Sequence, residues 1–172
     1  MKTIEINLYK FDELSEEAKN TVLERHWDIN VDYEWWDGVY MDAENIGLKI
    51  TGFDIDRGSF CNCEFIEDPQ TVANKIMEDH GPDCETYKDA GRFLLEYKRV
   101  LENAEKDEDE EFLDEYEVEQ ELEELEDEFL YTLSEDYRIM LQKEYEYLTG
   151  EEAIKETLII NEYDFTEDGE IY

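Results

Sequence analysis

Hydrophobic and polar positions alternate over residues 3–9, with Ile4, Ile6 and Leu8 set against Glu5, Asn7 and Tyr9. A period of two predicts a half-buried strand. The pattern then changes to helical spacing. Ser15 is placed to cap a helix whose inner stripe is Ala18, Val22, Leu23, His26 and Trp27, with Glu16 and Glu17 in its first turn. Asp32 is the expected cap of a second helix, carrying Tyr33, Trp36, Val39, Tyr40 and Ala43 and ending near Gly47. Strands follow at 48–55 and 60–66, joined by the turn residues Asp56, Arg57, Gly58 and Ser59. Pro69 suits the first position of the next helix, which carries Val72, Ala73, Ile76 and Met77 and stops at Gly81-Pro82.

Beyond residue 84 the pattern is almost entirely helical. One helix is expected over 84–104, on Tyr87, Ala90, Phe93, Leu94, Tyr97 and Leu101. Another is expected over 112–148, on Phe112, Tyr116, Leu122, Leu125, Phe129, Leu133, Tyr137, Met140, Leu141, Tyr145 and Leu148. The join at 105–111 reads either as a solvated loop or as a strained join between two helices, and residues 84–148 as either one continuous helix or a helical hairpin. A short helix over 151–160 precedes two short strands, 163–165 and 170–172, around the turn signal Asp168-Gly169. The expected fold is α+β: a small antiparallel sheet (3–9, 48–55, 60–66) packed against several helices, with long acidic C-terminal helices. Three segments are expected within one compact domain: an α+β core at 1–104, an acidic helical segment at 105–150, and a returning helix and hairpin at 151–172.

Composition narrows the function. The 172 residues hold 52 acids and 15 bases, a net charge of -37. A nucleic-acid binder needs basic residues for phosphates, so direct nucleic-acid binding is not expected. An anionic membrane surface would repel the chain, and no charge-free run exceeds six residues against the roughly 20 needed for a span. The acid at Glu5 comes too early for a signal peptide, and a cytosolic protein is the expectation. Disorder is not expected, because 41% of residues are hydrophobic and 23 are aromatic, enough to build a core.

Catalytic and metal motifs are weak. Cys61, Cys63, His80 and Cys84 offer zinc ligand types, but a Cys-x-Cys spacing on a strand favours two small buried hydrophobes on one face with Ser59 and Phe65. Asp54, Asp56 and Gly58 begin like a calcium loop, yet the twelfth position is Phe65, where a glutamate is required. Asp28, Asp32, Asp37 and Asp42 flank Trp35 and Trp36 without a catalytic spacing, and read as caps and outer faces around core tryptophans. His26 reads as a packed histidine and His80 as a helix C-terminal residue. No phosphate loop is present, so neither a metal, a cofactor nor an enzyme activity is expected.

The charge is concentrated. Residues 1–100 carry 23 acids and 11 bases, whereas 101–172 carry 29 acids and 4 bases, giving -12 and -25. Within 102–128 stand 17 acids and one base, Lys106. At about 1.5 Å rise this is one charge per roughly 2.4 Å, against about 1.7 Å for duplex DNA. From Glu110 to Glu128, seven acid pairs at i,i+4 would each cost about 0.2–0.5 kcal/mol. Local strain of this kind suggests a use. Such a rod would attract a cleft built for DNA, copying backbone charge but not base edges. Mimicry requires carboxylates aligned on one outward face, in a row comparable in length to a turn or more of duplex; acids scattered evenly in all directions would favour a solvated surface. The residues assigned this role are Glu110, Glu111, Asp114, Glu115, Glu119, Glu123, Glu124, Asp127 and Glu128. The competing accounts are a solvated, solubilising face and acid-rich docking on a basic partner that does not bind DNA.

Leu14-Ser15-x2-Ala18, the stretch from Asp28 to Asp32 with Trp35-Trp36, Ile46-Gly47-Leu48-Lys49-Ile50, and Phe53-Asp54-x-Asp56-Arg57-Gly58-Ser59 resemble segments of small acidic phage and prophage proteins. The ending Glu152-Ala153-Ile154-x-Glu156-Thr157, with Asn161-x-Tyr163-x-Phe165-Thr166-Glu167-Asp168-Gly169, is similar to endings in that group. The resemblance implies work inside a bacterial host cytoplasm. By charge and size alone, the chain also resembles DNA-mimic inhibitors of restriction and related defences. The expected partner is a bacterial DNA-binding defence protein. The stripe from Leu122 to Leu148 offers a surface for a second copy of the chain.

Overall fold

The structure is a computed structural model that describes residues 5–104 and 115–172, the latter with side chains from Tyr116 onward. The chain divides into two compact units, one formed by 1–36 with 143–172 and one by 37–142. These boundaries follow packing rather than the rise in acidity near residue 104.

The first unit is built on local signals. A 3-10 turn at Phe11–Glu13 leads to α1 (Glu16–Arg25), whose Ser15 hydroxyl accepts from the Ala18 amide at 3.2 Å. That bond satisfies one of the free amides at the helix start. Its apolar positions pack with the short C-terminal helix (Glu151–Ile160), placing Phe11, Leu14, Ala18, Val22, Ile154, Leu158 and Phe165 in one cluster. Trp27, expected on the inner stripe of α1, is half exposed because the helix has already ended at Arg25.

The expected strand at 3–9 is corrected. Among the described residues only Tyr9 pairs, forming an isolated bridge to Phe165, which bridges Ile171 in turn. Ile6 and Leu8 are exposed, so the alternation has no layer to face. The turn at Asp168-Gly169 forms as expected. Gly169 has φ +80°, and a Cβ there would approach Val22 Cγ2 at 2.9 Å and the Ala18 carbonyl oxygen at 3.0 Å, so only glycine fits.

The helix expected from Asp32 begins instead at Asp37, as α2 (Asp37–Ile46). Asn30 explains the delay. Its buried amide donates to the Leu148 carbonyl at 3.0 Å and accepts from the Thr157 hydroxyl at 2.7 Å, holding the preceding segment in turns. Trp35 and Trp36 are half buried rather than fully enclosed, and Trp35 lies 5.4 Å from the Tyr145 ring.

In the second unit α2 packs on an antiparallel hairpin, β1 (Leu48–Asp54) and β2 (Phe60–Phe65), which forms the two-stranded sheet. Thr51 is the extra residue of a bulge between Ile50 and Gly52. The loop is turn chemistry and not a calcium loop: Asp54 Oδ1 accepts from the Asp56 amide at 2.7 Å, and Gly58 has φ +82°. α3 (Pro69–Asp79) starts at the expected proline, with Asp68 Oδ1 accepting from the Gln70 and Thr71 amides at 3.0 and 3.2 Å. α4 spans Glu85–Ala104 and α5 spans Glu115–Leu148, with the last residues of α5 falling in the first unit.

α4 and the first half of α5 lie side by side. The Phe93 and Phe129 rings stack with centroids 4.4 Å apart, and Phe65 approaches Phe129 at 5.9 Å. One turn after Phe93, Tyr97 feels the charge of Glu126, which precedes Phe129 by three residues, so the two helices run antiparallel. The stripe offered for a second copy is used within the chain: Phe129, Leu133, Tyr137 and Leu141 are 0–4% exposed. The fold is therefore α+β, with a long acidic C-terminal helix. No helix among the described residues is long and apolar enough to cross a membrane.

Candidate functional site: the acidic face of the long helix

α5 exists because its apolar positions are bought into the core at helical spacing. Val118, Leu122 and Leu125 are half buried, and Phe129 closes the stripe. The same spacing turns the acids outward. Glu119, Glu123, Glu124, Asp127 and Glu128 are all exposed. Glu119, Glu123 and Asp127 succeed one another at i,i+4, about 6 Å apart along the axis. Glu124 and Glu128 form a second row, and together the rows fan over about 180° of the helix circumference. Glu110, Glu111 and Asp114 lie outside the described residues. Glu115 opens the helix, and its side chain also lies outside them.

From Glu115 to Glu128 the helix holds nine acids and no base. Nine charges over about 20 Å is one per roughly 2.2 Å, still near the density of duplex DNA. The length is about half a duplex turn rather than a full one, since a turn rises about 34–36 Å. Five like-charged i,i+4 pairs remain in this stretch, costing about 1–2.5 kcal/mol at low salt.

The neighbouring helix is handled differently. On α4, Lys88 pairs with Glu85 at 2.6 Å, Arg92 with Asp89, Lys98 with Glu102 at 3.4 Å, and Arg99 with Glu96 at 3.0 Å. On α5 the first base is Arg138, committed to Glu135 at 3.0 Å. Among the described residues no lysine or arginine pairs with Glu119, Glu123, Glu124, Asp127 or Glu128. On that face Gln120 Nε2 donates to Glu124 Oε1 at 3.3 Å. Arg92, which lines a groove of about 350 Å³ with Glu128, is already held by Asp89.

The crowding reaches neighbouring groups. Glu126 is turned toward α4, and its carboxyl is pushed up from its ordinary value, first by desolvation and then by Asp68, Asp127 and Glu123. Asp136 is raised by desolvation and then by Glu85, and its Oδ2 is buried with no hydrogen-bond partner among the described residues. A carboxyl whose folded pKa is raised stabilises the fold when protonated, and that contribution is lost as pH rises through the folded value. Asp136→Asn is expected to stabilise the protein at pH 7 by about 0.5–1 kcal/mol, after discounting for its partial solvent contact. Urea titrations at pH 7 and at about pH 4 check this, because the gain should shrink once the wild-type carboxyl is protonated.

Self-repulsion sets a second expectation. The melting temperature should rise as ionic strength goes from about 10 to 300 mM, where the Debye length falls from about 30 Å to below 8 Å. A melting temperature unchanged over that range would show that the exposed carboxylates do not burden the fold.

The other candidates have structural partners. His80 ends α3, with its Nδ1 2.7 Å from the Thr86 hydroxyl and its Nε2 3.7 Å from Asp42 Oδ1. Tyr137, fully buried, donates to Asp42 Oδ2 at 2.8 Å, and its phenol is pushed up by desolvation and by that carboxylate. Thr86 is 4% exposed, so the two hydrogen bonds and the approach of His80 to Asp42 gather α2, α3, α4 and α5 around one polar cluster. Spacing gave no sign of it, because Asp42 and Tyr137 stand 95 residues apart. Cys61 and Cys63 share the inner face of β2, as the alternation predicts, whereas Cys84 is exposed. No group of three or more candidate metal ligands occurs among the described residues. Comparison with protein-family models, curated proteins and solved structures finds no match.

Proposed function

We propose that this chain is a phage-encoded DNA mimic that occupies the DNA-binding cleft of a bacterial defence protein in the host cytoplasm. The observation that carries the reading is the contrast between two packed helices. α4 neutralises its acids with its own bases, while α5 presents exposed carboxylate rows with no base from Glu115 to Glu128. A helix that needed only solubility would gain from interspersed lysines, each i,i+4 exchange relieving about 0.2–0.5 kcal/mol. A charge density near that of duplex DNA is useful to a partner that counts phosphates. The carboxylates stand in for phosphates and do no chemistry. They offer no base edges, so the partner is one that grips DNA before or without reading sequence.

The test is affinity capture on the immobilised chain from a bacterial lysate in low salt, followed by elution with duplex DNA. The expected result is release by duplex of proteins that DNA resin also retains. Proteins released by salt but not by duplex would overturn mimicry and favour docking on a basic partner that does not bind DNA.

A further inference from the structure

Away from the acidic face, β2 carries two thiols in contact. Cys61 Sγ and Cys63 Sγ are 3.8 Å apart on one side of the strand. Cys61 is 6% exposed and Cys63 is partly exposed. A strand rise of about 3.3 Å per residue puts Cα atoms at i and i+2 roughly 6.6 Å apart, at the upper limit of the 4.4–6.8 Å that a disulfide spans, so closing the bond requires the strand to bend locally and bring the two Cβ atoms to about 3.5–4.5 Å. The bulge on β1 abuts this point, since Ile50 pairs with Cys63 and the register slips at Gly52.

The surroundings distinguish the two sulfurs. Cys61 Sγ and Cys63 Sγ share a hydrogen bond in which either thiol can donate, and the Ser134 hydroxyl, whose proton goes to the Leu130 carbonyl at 2.8 Å, lies beside Cys63. Both contacts hold the Cys63 thiol below its ordinary pKa, against desolvation. Cys61 is pushed up, first by its hydrogen bond to Cys63 and then by burial, with Arg138 opposing. Cys63 is thus the more acidic thiol of the pair and Cys61 the less acidic.

We propose that Cys61 and Cys63 form a peroxide-reactive dithiol that closes to an intrastrand disulfide. Cys63 Sγ attacks a hydroperoxide: an S–O bond forms, the O–O bond breaks, and the departing oxygen leaves as an alcohol or water after taking up a proton. Cys61 Sγ then attacks Cys63 Sγ: the S–S bond forms, the S–O bond breaks, and hydroxide leaves as water with the proton from Cys61. Two thiols are oxidised by two electrons and one hydroperoxide is reduced. The sulfenic intermediate has its resolving thiol already in contact, which favours the disulfide over further oxidation.

Limited hydrogen peroxide on the full chain, followed by alkylation, trypsin digestion and mass spectrometry, tests this. Cleavage after Arg57 and Lys75 places Cys61 and Cys63 in peptide 58–75, while Cys84 falls in peptide 76–88. The expected result is that 58–75 loses two hydrogens, gains no oxygen and resists alkylation several-fold sooner than Cys84, despite the greater exposure of Cys84. Cys61→Ala should stop at a sulfenic acid on Cys63 that dimedone traps. Preferential oxidation of Cys84, or a sulfinic acid on Cys63 in the wild type, would overturn the proposal. A measurement without any variant is titration with phenylarsine oxide: one equivalent should block both thiols of 58–75, and failure to block them together would equally overturn it.

Discussion

Neutralising Glu119, Glu123 and Asp127 together, as Glu119→Gln, Glu123→Gln and Asp127→Asn, is expected to make the protein more stable and less able to bind. The stability change follows from the helix. The three substitutions remove the like-charged pairs 115/119, 119/123 and 123/127, relieving about 0.6–1.5 kcal/mol at low salt. The three positions are exposed and make no ion pair among the described residues, so no native contact is lost with the charge. The binding change has the opposite sign. A carboxylate meeting a cation in water contributes about 1 kcal/mol at contact distance, so three should weaken capture by about 3 kcal/mol, or roughly 150-fold. The salt dependence of binding should flatten as well, by up to about 0.9 in log–log slope for each charge removed. Urea titration and binding isotherms at two salt concentrations check both halves. A variant that gains stability and binds unchanged would leave the acids as a solubilising face.

The second large effect is on the fold. Phe129→Ala is expected to cost about 3–5 kcal/mol, the range for removing a buried aromatic ring. Phe129 is 4% exposed, stacks on Phe93 at 4.4 Å and meets Phe65 at 5.9 Å, so its loss opens a cavity bordered by α4, α5 and β2 at once. Against a typical total stability of about 5–15 kcal/mol, this removes a large share. The ring also fastens the acidic half of α5 to α4, so the variant should lose protease resistance first at residues 115–128. Equilibrium unfolding in urea measures the cost. A loss below about 1 kcal/mol would mean that the two helices are held together by something other than this stack.

These two positions share one helix and show how it divides its work. The apolar stripe from Val118 to Leu141 fixes α5 to the core, and that fixed axis orders the carboxylates at about 6 Å intervals. The stripe offsets the repulsion that the acids impose. Without the ring stack, the charged half would have only helix propensity to oppose its own field, a weak force for a sequence of this charge.

The elements that were legible in the sequence are those whose signals are local. Ser15 capping α1, Pro69 opening α3, the hairpin turn at Gly58 and the reversal at Gly169 each need only a few adjacent residues to be recognised. The failures come from long-range partners. Asp32 has a cap's chemistry, but Asn30 is held by Leu148 and Thr157, more than 100 residues away, and the helix starts later. The alternation of 3–9 reads as a strand, yet Ile6 and Leu8 have no apolar layer to meet. The candidate site was legible for a related reason: on one helix, spacing alone tells which side chains share a face. Its extent was less so, because position in sequence does not tell how many acids the apolar stripe holds outward. The contact of Cys61 with Cys63 was implicit in their shared strand face, whereas the difference between them depends on Ser134 and Arg138 on another element.

The most direct measurement is competition. A DNA-binding protein captured by the chain is purified, and its affinity for the chain is measured at increasing concentrations of a short duplex. The account predicts mutual exclusion: the apparent dissociation constant rises in proportion to duplex concentration, and both ligands weaken together as salt is added. A ternary complex of protein, duplex and chain, with the chain's affinity unchanged by DNA, would contradict it.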